Sequence, residues 1–203
     1  AYRVRLALNL KGIAYETVPI SLLPGNSEQR QAEYRKRNPQ MLVPFLEDAE
    51  FGVGQSQAIF EYLEETYPAT PLLPDSARQK AAVRSFCNSI CCDIHPLNNL
   101  RVMMYLKEQL GVSDEQYDAW YANWIHAGFR AAEIMAIENA SAGPYVFGAT
   151  ATLADCCLIP QIYNARRFNV PLDDYPRLVA IDAHCDSLPE FAAAIPERQP
   201  DAM

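Results

Sequence analysis

The stretch Asp93-Ile-His-Pro-Leu-Asn-Asn-Leu-Arg101 gathers an imidazole, two carboxamides and a guanidinium around one proline. Pro96 has no N–H to give a helix, so the chain bends there, and the polar side chains at 95, 98, 99 and 101 are expected to point toward a cleft between domains. With three histidines in the chain and no partner pattern, His95 reads as a hydrogen-bonding or structural residue rather than a base. Arg101 and Arg167 are candidates for holding carboxylates, because a guanidinium binds them bidentately and stays charged at any working pH. The plainer reading of both is a solvated helix charge. Arg166 follows the same helix and should point elsewhere. Leu42-Val43-Pro44 opens a strand. A cis Val43-Pro44 bond would free the N–H and C=O of Val43 to pair with an extended ligand, whereas a trans bond would merely start an edge strand. Gln55-Ser56 begins an amphipathic helix, where free N–H groups and the dipole favour a carboxylate, unless Ser56 is only an N-cap.

Other patterns point to folding. Thr152-Leu-Ala-Asp155 is a capping box. The vicinal pairs Cys91-Cys92 and Cys156-Cys157 lack the two-residue spacer of zinc and thioredoxin motifs, so they read as buried thiols on apolar helix faces, with no metal implied. Tyr117, Trp120, Tyr121 and Trp124 recur at helical spacing as core or interface packing.

The elements that must position these residues change type at a Pro-rich connector. Before it the order is α β α β β α. An apolar helix stops at Gly12, a strand runs over Tyr15–Ile20, and Pro24-Gly25-Asn26 precedes a polar helix over 28–37. A hairpin then joins Val43–Leu46 to Phe51–Val53 across a four-residue acidic turn, and a helix starts at Ser56 with Glu61, Glu64 and Glu65 facing water. The segment 68–75 carries three prolines and separates residues 1–67 from an all-helical 76–203, with helices over 76–110 interrupted at Pro96, 113–139, 152–168, about 175–187 and 189–194. Seventeen basic against twenty-five acidic residues, a net charge of −8, exclude a general nucleic-acid binder. No apolar run reaches the ~18 residues of a membrane span. The cysteine usage and the lack of a signal-like opening point to a cytoplasmic protein. Tyr2–Leu10 already reads as helix interior, which predicts that residues upstream are missing.

Tyr2–Gly12, Leu42-Val-Pro44, Gln55–Glu65, Asp93–Arg101 and Thr152–Asp155 together resemble the zeta class of glutathione transferases, over essentially the whole chain. The resemblance implies an α/β thioredoxin-like N-terminal domain followed by an all-α C-terminal domain, with the first strand apparently missing. It implies glutathione as cosubstrate, contacted by Gln29, Val43, Pro44, Gln55, Ser56, His95 and Asn99, although Gln29 lies in a polar, surface-like stretch. A Ser-led tripeptide directly upstream of Ala1 would lower the thiol pKa of glutathione, with Arg3 nearby, and Arg101 and Arg167 would hold a small dicarboxylate diketo acid. The implied reaction is cis–trans isomerisation of maleylacetoacetate in aromatic amino acid breakdown, in a homodimer. The alternatives are the same chemistry on maleylpyruvate, a broader conjugating or dehalogenating transferase, and a non-catalytic protein of the same fold.

Overall fold

Helix α1 (Tyr2–Leu10) buries Val4, Leu6, Ala7 and Leu8. It ends because Gly12 adopts φ +66, a left-handed conformation that a Cβ disfavours. That turn lets Gly12 N–H bond the Asn9 carbonyl and Ile13 N–H the Leu8 carbonyl, which satisfies the last turn of the helix. These features come from a computed structural model that describes residues 1–23, 25–139 and 143–200. Pro24, part of the expected turn, lies outside the described residues.

The chain forms two compact units, Ala1–Leu72 with Pro189–Met203, and Leu73–Leu188. In the first, a 3-10 turn (Glu28–Arg30) and α2 (Ala32–Arg37) precede β1 (Phe45–Asp48), β2 (Phe51–Gly54) and α3 (Ser56–Thr66). The strands pair antiparallel, Phe45 opposite Gly54 and Asp48 opposite Phe51, around a turn of only Ala49 and Glu50. The hairpin turn is thus two residues rather than the expected four, with Ala49 at φ 51. The hydroxyls of Tyr62 and Tyr67 donate to Asp48 Oδ2 at 2.8 and 2.6 Å, tying the end of β1 to α3 and holding the Asp48 carboxyl below the usual carboxylate range.

Three expectations are corrected here. Tyr15–Ile20 is no strand, since none of its residues pairs in a sheet among the described residues, and Val18 is 62% exposed. β-character at one segment is realised only when a neighbour accepts its hydrogen bonds. The segment instead lines a cavity of about 520 Å³, together with Val4, Leu8, Val43 and Leu63. Glu64 does not face water. Its carboxylate receives buried Lys11 Nζ at 2.7 Å and Leu72 N–H at 3.0 Å. The polar helix over 28–37 is divided at Gln31, whose extended backbone (ψ 154) interrupts helical continuity.

The last helix, α10 (Pro189–Ala194), keeps its expected bounds but belongs with α1 rather than with the helical half. Arg5 Nε donates to the Ala194 carbonyl at 3.0 Å and Asn9 Nδ2 to the Glu190 carbonyl at 2.9 Å.

The second unit is helical: α4 (Ala77–Asp93), α5 (His95–Asn98), α6 (Leu100–Glu108), α7 (Asp114–Glu138), α8 (Leu153–Arg167) and α9 (Pro176–Asp186). The interruption around Pro96 proves double, at Ile94 and at Asn99. Asn99 is the N-cap of α6, its Oδ1 accepting from Arg101 N–H at 3.2 Å. A capping box at Ser113 and Gln116, which the sequence reading did not single out, starts α7. Glu133, buried on α7, caps α9 from a distance: its oxygens accept Arg177 N–H at 2.8 Å and Leu178 N–H at 3.0 Å. Glu133→Gln turns one acceptor into a donor aimed at a helix N–H, and should cost about 2 kcal/mol in urea unfolding. No change in the midpoint would show that water serves those N–H groups equally well.

Candidate functional site

The first unit carries five of the residues assigned to glutathione, Gln29, Val43, Pro44, Gln55 and Ser56. The Val43-Pro44 bond is cis. Before it, the Leu42 carbonyl is held by Tyr34 Oη and Asn38 Nδ2, both at 2.7 Å. Neither the N–H nor the C=O of Val43 is hydrogen-bonded among the described residues, so one donor and one acceptor remain available at the mouth of the hairpin. Val43 and Pro44 also line the 520 Å³ cavity, whereas Gln29, Gln55 and Ser56 do not.

Gln55, not Ser56, is the N-cap residue of α3, with φ 68 and ψ 114. A non-glycine residue in that region is strained, and such strain persists where surrounding contacts over-determine it. Gln55 Nε2 donates to Gln40 Oε1 at 2.7 Å, a fixing partner the sequence reading missed. Ser56 is the first helical residue, 9% exposed, and Arg3 Nη1 approaches its hydroxyl at 3.5 Å. Gln29 is buried rather than surface-like, and its Oε1 is a buried acceptor with no hydrogen-bond partner among the described residues. Glutathione offers a chain of amides, an ammonium and two carboxylates. An orphan acceptor at Gln29, an open backbone pair at Val43 and the positive end of the α3 dipole fit such a molecule.

In the second unit, His95 and Asn99 lie side by side, Asn99 Nδ2 being 3.5 Å from His95 Nε2. Asn98, expected to point out with them, turns inward and donates to the Tyr121 carbonyl at 3.1 Å. Arg101, in the first turn of α6, and Arg167, the last residue of α8, are both exposed, and neither is in an ion pair among the described residues. Arg166 differs sharply, its Nη1 lying 2.5 Å from the Asp182 carboxylate. Burial pushes Asp182 up to about 6, with Arg166 pulling it back down. Asn169 at φ 55 closes α8 and thereby fixes where Arg167 stands. The cation acts on two phenols close to it, Tyr117 and Tyr121. Burial raises both pKa values, and Arg167 opposes the rise. Tyr121 stacks on Phe168 with centroids 3.9 Å apart, so the aromatic stripe packs as expected and braces the end of α8.

A cis-proline hairpin leading into a helix with a buried serine in its first turn, accompanied by an all-helical unit, defines the glutathione transferase fold. A family model for the glutathione S-transferase N-terminal domain matches residues 1–71. The chain is 46% identical to a probable maleylacetoacetate isomerase of Vibrio cholerae over 100% of its own length and 93% of that protein. It resembles the holo structure of a maleylpyruvate isomerase, described as a bacterial zeta-class glutathione S-transferase, with 44% identity, a TM-score of 0.96 and coverage of 100% and 94%. A maleylacetoacetate isomerase of Methylobacterium extorquens AM1, solved with bound malonate and glutathione, matches at 36% identity with a TM-score of 0.93, covering 100% of this chain and 94% of that one. This chain belongs to the zeta class of glutathione transferases.

Proposed function

We propose that the protein is a glutathione-dependent cis–trans isomerase that converts maleylacetoacetate to fumarylacetoacetate in aromatic amino acid breakdown, as a cytoplasmic homodimer. The observation that carries this reading is that Arg101 and Arg167, the two arginines the resemblance assigns to the substrate, are exposed and are among the arginines in no ion pair among the described residues, on a chain whose net charge is −8. Cations left unpaired in an acidic protein suit a substrate with two carboxylates. The Methylobacterium relative was solved with bound malonate, itself a dicarboxylate, and glutathione.

When bound, glutathione supplies a thiolate that adds to the cis double bond conjugated with a ketone, makes that bond rotatable, and leaves again as the trans bond forms. The chain's residues do the positioning. Val43 pairs its backbone with the cysteinyl part, Gln55 and Ser56 with the helix N-terminus take the γ-glutamyl carboxylate, and Gln29 completes the first unit's hold on the tripeptide; for His95 and Asn99, contact with glutathione is what the family resemblance implies. Arg3 adds positive charge beside Ser56. Arg101 and Arg167 fix the two ends of the substrate while its middle turns, so that orientation and electrostatics carry the rate.

A second reading, the same reaction on maleylpyruvate, is favoured by the 44% identity to the maleylpyruvate isomerase structure. The test gives the protein each diketo acid with and without glutathione and follows loss of the cis isomer. Turnover that requires glutathione, leaves its concentration unchanged and is faster with maleylacetoacetate is the expected result. Preference for maleylpyruvate would establish the second reading, and equal loss without glutathione would refute both.

A further inference from the structure

Of the two vicinal pairs expected to be buried, Cys156 and Cys157 are, but Cys91 is only half-buried and Cys92 is exposed; Cys87 and Cys185 are buried as well. All six are thiols. Cys91, on the last turn of α4, and Cys157, on the second turn of α8, face each other with Sγ atoms 3.7 Å apart across the packed helices. Joining them as a disulfide needs a shortening of about 1.7 Å, within reach of small side-chain rotations. The neighbouring thiols are differently placed. Cys156 and Cys185 are buried against each other near Asp155, where desolvation pushes both pKa values up and keeps them protonated and inert.

We propose that Cys91 and Cys157 form a site of reversible oxidation, in which a small-molecule disulfide enters at Cys91 and Cys157 resolves it into an α4–α8 crosslink. The asymmetry in exposure sets the order. Cys91 reaches solvent, so its sulfur, after giving its proton to water, attacks one sulfur of the incoming disulfide; that bond breaks, and one thiol leaves with a proton. The Cys157 sulfur, fully shielded, then loses its proton and attacks the Cys91 sulfur, and the second thiol leaves protonated. Two protein thiols lose two electrons and two protons, and one small disulfide becomes two thiols. Two sulfurs held on adjoining helices meet at a high effective concentration, so the mixed disulfide does not accumulate. The finished bond is covered on the Cys157 side and closes a loop spanning the 66 positions between the two cysteines, which raises resistance to unfolding.

The experiment uses the Cys92→Ser protein, which removes the exposed neighbour; six cysteines less one leave five. Treated with glutathione disulfide, it should lose two hydrogens in intact mass; then denatured and alkylated, it should show alkylatable thiols falling from five to three and a peptide crosslink between Cys91 and Cys157. Its melting temperature should rise and return to the starting value after reduction. Adding Cys91→Ser, at a half-exposed position that tolerates the change, should abolish the loss of thiols, and adding Cys157→Ala should leave glutathione attached at Cys91. The inference is overturned by a lasting glutathionyl adduct on Cys91 with Cys157 still alkylatable, by a crosslink to any other cysteine, or by no loss of thiols.

Discussion

Replacing Asp155 by alanine should lower the stability of the helical unit by about 4 kcal/mol, the largest folding effect expected of any single side chain here. Asp155 is fully buried. Its Oδ1 accepts Val146 N–H at 2.9 Å, and its Oδ2 accepts Thr152 N–H at 2.7 Å and the Thr152 hydroxyl at 3.1 Å. Alanine would strand two backbone N–H groups where water does not replace the lost acceptor, each costing about 1–3 kcal/mol, and would remove the cap of α8 as well. For a chain of this size that corresponds to a melting temperature lower by on the order of 10 °C. Asp155→Asn should cost less, since its carbonyl keeps Val146 while its amide opposes Thr152 N–H. Thr152→Ala, which loses the hydroxyl that accepts from Ala154 N–H at 3.3 Å and donates to Asp155 but keeps the backbone N–H on Asp155, should cost about 1 kcal/mol. Denaturant unfolding followed by circular dichroism checks the series. A loss below 1 kcal/mol for Asp155→Ala would show that the box does not hold the start of α8.

That box was legible because its four residues carry their own hydrogen-bonding logic, and the same holds for Gly12 ending α1 and Pro189 opening α10. Legibility fails where a partner distant in sequence decides. Tyr15–Ile20 has strand composition, yet a strand's hydrogen bonds belong to a pair of segments, and composition names only one of them. Glu64 looks like a solvent-facing residue of an amphipathic helix until Lys11 is placed against it, and Glu133 serves backbone groups more than forty positions away. Gln29 lies among polar neighbours, and its burial follows from packing alone. The cis state of Val43-Pro44 is invisible in the dipeptide and came only through family resemblance. For the candidate site, residue types were readable and their commitments were not: Asn98 and Asn99 are adjacent and chemically alike, yet one is spent on the Tyr121 carbonyl while the other caps α6.

The same question of commitment governs the largest expected effect on catalysis. Arg166 and Arg167 are neighbours, and only the first is tied down, by Asp182. If Arg101 and Arg167 each hold a substrate carboxylate, replacing either with alanine removes a charge-assisted bidentate contact worth about 2–3 kcal/mol, a fall of roughly 30- to 150-fold in kcat/KM for the diketo acid. The double replacement should fall by about 10³-fold or more, with partial coupling because both grip one molecule. Arg167→Lys keeps the charge but loses the planar fork, and should lie between wild type and alanine. The decisive comparison uses a neutral electrophile conjugated to glutathione by the same variants, whose rate should stay within about threefold of wild type, because no carboxylate is there to lose its partner. Arg166→Ala serves as the internal control. It strips the ion pair from the buried Asp182 carboxylate, and so should lower the unfolding midpoint while leaving the ratio of the two activities unchanged. Equal losses with both substrates in the Arg101 and Arg167 variants would move these arginines from substrate recognition to support of the fold or of glutathione. A loss confined to the dicarboxylate is the signature that only direct contact with its charged ends produces.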